Sequence, residues 1–473
     1  MNNKDVILKV ENLKQYFRSG SGKNRIVVKA VDDITFDIYR GEVFSLVGES
    51  GCGKTTTGRT IIKLYPSTGG QVFFEDTRII SDVKAAKEVY KATMKQLNAD
   101  KKESLDSLKL RQSSNEISDS DYKLEVEKTN ETYSAVKASA YKEYHDAKRD
   151  RNFERVVDAD ARREGQEFNS ESPAYKEIQA KYTKKNSDLD QEIEEMTSTL
   201  KNLTEKVALK EAKAKLAYLK KDRSLNKVRE KQDIQRYKYD LINRNRLLMR
   251  KMQMIFQDPI ASLNPRMTVK EIIAEGLRIN GMKNEEEIDI RVKEALTTVG
   301  LVAEHAGRYP HEFSGGQRQR IGIARALVVE PTFIIADEPI SALDVSIRAQ
   351  VINLLNDLRE EQGITIMFIA HDLSVVKYFS DRVAVMYYGK IVEMGDKDKI
   401  FNHPFHPYTL SLIDSIPLPD PVYEKARGKL SRYNPMQEHD YSVESPTLRE
   451  VEPDHFVLCN TEEFERYSSK LDK

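Results

Sequence analysis

Two rhythms of apolar and polar positions divide this 473-residue chain, and each predicts its own kind of element. Near the N-terminus the period is two: VILKVENL and VVKAVDDITFDI alternate apolar with polar residues, as half-buried strands do. The run Val43 to Val47, VFSLV, is almost continuously apolar and predicts a buried strand, followed by a Gly-rich turn and an apolar helix up to Leu64. From about 82 to 245 the texture turns to Lys, Glu, Asp, Gln and Ala with few prolines and glycines, which predicts a helical insert. Its best heptad stretch puts Ile193, Leu200 and Val207 at one seam position and Met196 and Leu203 at the other, before Lys210, Ala214 and Ala217 weaken it. GQEFNSESP at 165–173 is the expected turn between the arms of an antiparallel hairpin, and RQSSNEISDSD near 115 a second interruption. Unbroken arms of ~60 to 70 residues would reach on the order of 100 Å, which the interruptions shorten.

After Arg246 a globular texture returns. Helical segments run through residue 312, then come a strand FIIA at 333–336, a helix from about 345 and a strand ITIMFIA at 364–370. From about 400 the chain is rich in Pro, His and Tyr without strong periodicity, which predicts an appendage outside the core.

Composition sharpens this picture in three places. Charged residues at 32% agree with long solvated helices. Lys plus Arg and Asp plus Glu both number 76, a net charge of zero that argues against a protein coating nucleic acid or anionic lipid, so no nucleic-acid partner is expected. Cys52 and Cys459 cannot build a disulfide framework or a four-thiolate metal site. The charged start MNNKDVILKV and the lack of a long apolar run predict neither a signal peptide nor a membrane span.

The chemistry concentrates in short motifs. Gly48-Glu49-Ser50-Gly51-Cys52-Gly53-Lys54-Thr55 matches GxxxxGK[ST] between a buried strand and a helix, where glycines let successive N–H groups turn toward phosphate oxygens and the helix end adds positive charge. Lys54 would reach the β and γ phosphates and the Thr55 hydroxyl would bind Mg²⁺. Asp337 and Glu338 end an apolar strand, an arrangement in which the first acid holds a metal shell and the second faces an attacking water.

Gln257 in MIFQDP, Ser314-Gly315-Gly316-Gln317 before QRQRIGIARAL, Ser341-Ala342-Leu343-Asp344 and His371 at the end of a strand follow in order. With these motifs the chain resembles the ATP-binding cassette (ABC) ATPases over roughly residues 6–80 and 246–400. The resemblance implies an α/β P-loop NTPase fold with a helical subdomain: 1–80 and 246–400 as ATPase core, 81–245 as a helical coiled-coil insertion, and 401–473 as a C-terminal tail. It implies that Gly48 to Thr56, including Cys52 and Thr56, form the Walker A loop, that Asp337 is the Walker B metal acid and Glu338 the general base, and that His371 contacts the γ-phosphate. Gln257 would touch Mg²⁺, Ser314 to Gln317 would form the signature that completes a second subunit's ATP site, Asp344 would join the nucleotide contacts, and Phe17 would stack on adenine, with Tyr16 as the alternative. Half of the γ-phosphate donors would then come from a second subunit, which leaves a monomer nearly inactive.

Within the family, NHPFHPYTLSLIDSIP at 402–417, FQDPIASLNPRMTV at 256–269 and PTLREVEPDHFVLC at 446–459 resemble the oligopeptide and dipeptide importer ATPases. That resemblance implies two transmembrane permease subunits, a second ABC ATPase (a paralogue or a copy), an extracellular peptide-binding protein acting indirectly, and a place at the cytoplasmic face of the cell membrane. Some peptide importers carry an iron–sulfur centre in this tail; with Cys459 alone, none is expected here. The spacing of His403 and His406 could also be read as metal-binding, although both precede proline. The long insert supports an alternative, a soluble ABC ATPase of DNA maintenance, against which stand the insert's position before Gln257 and the importer-type tail.

Overall fold

The computed structural model describes residues 5–20, 26–151, 169–202, 206–242, 244–341, 343–416 and 433–471. In chain order its strands are β1 (Val6–Ser19), β2 (Ile26–Tyr39), β3 (Val43–Val47), β4 (Gly69–Phe74), β5 (Thr77–Ile80), β6 (Met252–Ile255), β7 (Phe333–Asp337), β8 (Thr365–Ala370), β9 (Arg382–Tyr387), β10 (Lys390–Asp396), β11 (Thr447–Glu452) and β12 (His455–Cys459). The chain divides into two units. One comprises Met1–Arg155, Thr332–Ser341 and Arg348–Lys473, and the other Val156–Pro331 and Ala342–Ile347.

In the first unit a sheet runs in the order β11-β12-β10-β9-β3-β8-β7. Strands β7, β8, β3 and β9 are parallel, and every residue of β3, β7 and β8 is buried. Strands covered on both faces must be apolar throughout, which is why VFSLV and ITIMFIA stand out as runs. Since β7, β8 and β3 are parallel neighbours, the segments that follow them emerge at one edge of the sheet. A second, antiparallel sheet has the order β2-β1-β4-β5, with Leu8, Val10, Ile34 and Phe36 turned into the core.

The tail differs from the sequence expectation. It is no appendage: β12 pairs antiparallel with β10, β11 pairs with β12, and the two extend the sheet. Phe405, Val451, Val457, Cys459 and Tyr467 form a buried cluster of their own. Strands of six and five residues beside prolines are too short for a period of two to show in the sequence. At the root of the tail Glu393 and His455 are both fully buried and share a 2.8 Å hydrogen bond, and the other His455 nitrogen bonds Glu452 at 2.8 Å.

The insert also departs from one long hairpin. In the first unit helices Val83–Ser113 and Asp119–Arg151 pair with each other. The segment near 115 is thus a hairpin tip, crossed by an Arg111–Glu125 pair at 3.1 Å and followed along the seam by a Tyr133–Asn98 bond at 2.9 Å. In the second unit helices Pro173–Asn202 and Lys206–Ile242 pair through Tyr182–Asp233 at 2.6 Å, Asn226–Asn186 at 2.6 Å and a bidentate Arg223–Asp190 contact. Helices of 30 to 37 residues span ~45 to 55 Å, half the length expected of unbroken arms. Ile193, Met196 and Leu200 are half-buried on the helix Pro173–Asn202, and Val207 falls in the next described helix, Lys206–Ile242. Leu203 and residues 165–168 of the expected turn lie outside the described residues.

Within the second unit the insert is fastened by charge. The Arg229 guanidinium, 2% exposed, donates to Glu287 at 2.5 Å, and Arg291 grips the other Glu287 oxygen at 2.8 Å. Glu287 belongs to the helix Glu285–Thr298, which Asn284 caps through the Glu286 and Glu287 amides. Removing one member of a buried ion pair leaves the other charge uncompensated. Arg229→Ala is therefore expected to destabilise the chain by about 3–5 kcal/mol in denaturant unfolding, with amide exchange rising together in 206–242 and 285–298. A second expectation concerns pH. Burial pushes the His455 imidazole down, but its bonds to Glu393 and Glu452 outweigh this and hold its pKa above the usual value. Stabilisation from a raised pKa is complete below the unfolded value, about 6.5, and is lost as pH rises through the folded value. The stability gap between the wild type and His455→Gln should be widest in mild acid and narrow toward alkaline pH.

Candidate active site

The phosphate-loop motif lies where β3 gives way to the helix Lys54–Ile61. Two of its glycines are demanded by space: a Cβ on Gly48 would come within 2.2 Å of the Met386 carbonyl oxygen, and one on Gly53 within 2.0 Å of the Ala30 oxygen. Gly53 also has φ 112°, a conformation costly for residues with a side chain, as it caps the helix. The Lys54 ammonium is buried and donates to the Gly48 and Glu49 carbonyls, both at 2.8 Å. Cys52 packs beside it, and burial holds its thiol above the usual pKa, partly opposed by the Lys54 charge.

At the neighbouring strand end, Asp337 is fully buried and its Oδ1 accepts a 2.7 Å bond from the Thr55 hydroxyl. Among the described residues its Oδ2 accepts no hydrogen bond, and Arg59 Nη2 lies 3.7 Å away. Burial raises the Asp337 carboxyl above its usual pKa, opposed by the Thr55 bond and the Arg59 charge. A buried carboxylate oxygen with spare lone pairs next to a threonine hydroxyl is a hard oxygen donor set that fits Mg²⁺.

Glu338 follows with φ 46°, a left-handed conformation rare outside glycine and common at functional sites. Its amide is fixed by the Ile369 carbonyl at 2.9 Å. His371 Nδ1 sits 3.3 Å from Glu338 Oε2, with the imidazole half-exposed. Gly48 to Thr56, Asp337, Glu338 and His371 thus gather at one edge of the sheet.

Phe17 lies on β1, 40% exposed, with its ring edge-on to Tyr65 at 5.5 Å. The Tyr16 hydroxyl is bonded to Asp32, and Lys29 lies over its ring, whereas the Phe17 ring is exposed. Tyr65 also receives a 3.2 Å bond from Arg59. A chain of contacts therefore links Phe17 to Tyr65, Arg59 and Asp337. No motif marks Arg59 or Tyr65, which is why sequence reasoning missed them.

In the second unit Gln257 is exposed just beyond β6. Its loop is shaped by Asp258, which accepts from the Ile260 and Ala261 amides, and by Arg325, which donates to the Ser262 carbonyl at 2.6 Å. Ser314 caps the helix Gly315–Leu327 in a reciprocal box with Gln317. Gly316 is required because a Cβ there would meet Ile347 at 2.6 Å, and Gly315 faces open space. Ser314, Gly315 and Asp344 are exposed. His403 ends one tail helix, and His406 caps the next by accepting from the Tyr408 amide at 3.1 Å, a structural role.

Comparison with known proteins agrees with this geometry. The family model described as "ABC transporter" matches residues 31–243 and 222–341, and "Oligopeptide/dipeptide transporter, C-terminal region" matches 392–440. The chain is 39% identical over 465 residues to "Oligopeptide transport ATP-binding protein OppF" of Bacillus subtilis (strain 168), covering 98% of this chain and 99% of that one. It is 37% identical over 469 residues to the protein of the same name from Streptococcus mutans serotype c, covering 99% of each. It is 58% identical over 216 residues to "Dipeptide transport ATP-binding protein DppF" of Lactococcus lactis subsp. cremoris, covering 46% of this chain and 68% of that one. Because the two full-length relatives span the insert as well, the insert no longer favours a DNA-maintenance ATPase. A matched family model over most of the chain, and a phosphate loop facing a paired acid site, make this chain an ATPase of the ABC transporter family.

Proposed function

We propose that this chain is the ATP-hydrolysing subunit that powers oligopeptide or dipeptide import through an ABC transporter. The observation that carries the reading is the Thr55–Asp337 bond beside the Glu338–His371 contact, at the mouth of a strand, glycine loop and helix. The full-length relatives named for oligopeptide transport support the substrate class. In the division proposed, 1–80 and 246–400 form the ATPase, 81–245 the helical insertion with coiled-coil pairing, and 401–473 the importer-type tail.

The chemistry is phosphoryl transfer to water. Loop amides of Gly48 to Thr56 and the Lys54 ammonium hold the phosphates and offset the charge that spreads over the γ-phosphoryl oxygens. Thr55 and Asp337 would hold Mg²⁺, which supplies further neutralisation of the phosphate charge. Glu338 orients the attacking water and accepts its proton. His371, in contact with Glu338, holds that carboxylate in place and donates toward the γ-phosphate. Phe17 stacks on the adenine.

Ser314 to Gln317, with Asp344, complete the site of a second ATPase subunit, a paralogue or a copy of this chain. Among the described residues no helix is long and apolar enough to cross a membrane. In this reading the peptide passes through two separate permease subunits, fed by an extracellular peptide-binding protein, with this chain at the cytoplasmic face.

Glu338→Gln should lower steady-state hydrolysis of the assembled complex on the order of 10²- to 10⁴-fold while ATP still binds. Unchanged hydrolysis would remove Glu338 from the role of base. Asp337→Asn, by contrast, should leave metal-free nucleotide binding near the wild-type level and abolish its strengthening by Mg²⁺, read by titration with a fluorescent ATP analogue.

A further inference from the structure

The importer-type tail reaches the phosphate loop through one hydroxyl. Tyr408, 1% exposed, lies on the tail helix Pro407–Asp414, and its phenolic oxygen accepts a 3.1 Å bond from the Glu49 amide, inside the Walker A loop. The loop is held on the same side at a second point, where the Gly389 amide, in the turn between β9 and β10, donates to the Cys52 carbonyl at 2.9 Å. Tyr387, next to that turn, packs its ring against Tyr408 at 4.4 Å.

Tyr408 is itself held from the far end of the tail. Its amide donates to His406 Nδ1. The His406 and Phe405 amides donate to the two oxygens of the buried Glu393, at 3.1 Å and 2.8 Å. Glu393 is bonded in turn to His455 of β12. A chain of hydrogen bonds therefore runs from β12 through Glu393 and residues 405–408 to the amide of Glu49. Loop amides must face the phosphates at a set angle, and a loop whose residues have rotated away must be reordered when nucleotide binds.

We infer that Tyr408 is a positioning residue for ATP binding, which fixes the Walker A loop from outside and thereby couples nucleotide occupancy to order in the C-terminal tail. The inference rests on the reading that Gly48 to Thr56 bind ATP. Such coupling is reciprocal: whatever the tail contributes to nucleotide binding, nucleotide returns as protection of the tail.

The test uses the full-length chain with Tyr408→Phe, which keeps the ring and its packing and removes only the acceptor oxygen. Loss of one hydrogen bond of this kind predicts an ATP Kd raised about two- to tenfold, with the KM of the assembled complex rising alike and kcat nearly unchanged. Hydrogen exchange supplies the readout that a merely structural role would not move. In the wild type ATP should slow exchange in 405–414 and 455–460, and in Tyr408→Phe this protection should be lost. Tyr441→Phe loosens the tail elsewhere, since its hydroxyl bonds His439 and not the loop, and it should leave both the Kd and the protection intact. Wild-type affinity and wild-type tail protection in Tyr408→Phe would overturn the inference, as would an equal loss of affinity in Tyr441→Phe. A wild-type chain that fails to bind ATP would overturn the underlying reading as well.

Discussion

The hydrogen bond from the Thr55 hydroxyl to the Asp337 carboxylate joins residues 282 positions apart, and the rest of the site is arranged around it. Asp337 is fully buried at the end of a fully buried strand, and a carboxylate there is tolerable only with partners. Thr55 supplies one and Arg59 a more distant charge, while one oxygen has no hydrogen-bond donor among the described residues. That imbalance sets the chemistry. The site holds negative charge ready for a divalent cation, and Glu338, one residue later, is turned by its left-handed backbone to face His371 instead of the strand interior.

How much of this was legible in the sequence follows from the physics of each element. Buried parallel strands write themselves as apolar runs, so β3 and β8 were visible, and with them the edge at which the phosphate loop, the acid pair and His371 meet. Glycines of the phosphate loop that must avoid carbonyl oxygens appear as a spacing pattern, so Gly48 and Gly53 stand out in the sequence, whereas Gly316 enters through the family resemblance. The tail was misread as an appendage because β11 and β12 are short and are held by a buried Glu393–His455 pair and by aromatic packing, neither of which has a period. Arg59, Tyr65 and Tyr408 act through contacts between segments distant in sequence, and such contacts leave no local mark.

The insert shows the same limit from the other direction. Its composition favours helices, yet composition does not say which helix pairs with which. Polar cross-helix bonds such as Arg223–Asp190 and Asn226–Asn186 accompany the pairing of the second two helices, and a tip near 115 joins the first two. The Arg229–Glu287–Arg291 cluster then makes the second hairpin part of the unit that carries the signature helix. A solvated arm would have no use for a guanidinium that is 2% exposed between two acids.

If the buried acid site drives import, hydrolysis must answer to the transported molecule. The most direct measurement is the ATPase rate of the proposed complex of this chain with a second ATPase and two permeases in lipid nanodiscs, with and without a peptide-loaded binding protein. A rate that rises when the loaded binding protein is added, and returns to the basal level when the same protein is added without peptide, is the expected result. A rate indifferent to the loaded binding protein, in a complex that binds it and hydrolyses ATP, would contradict the assignment to peptide import.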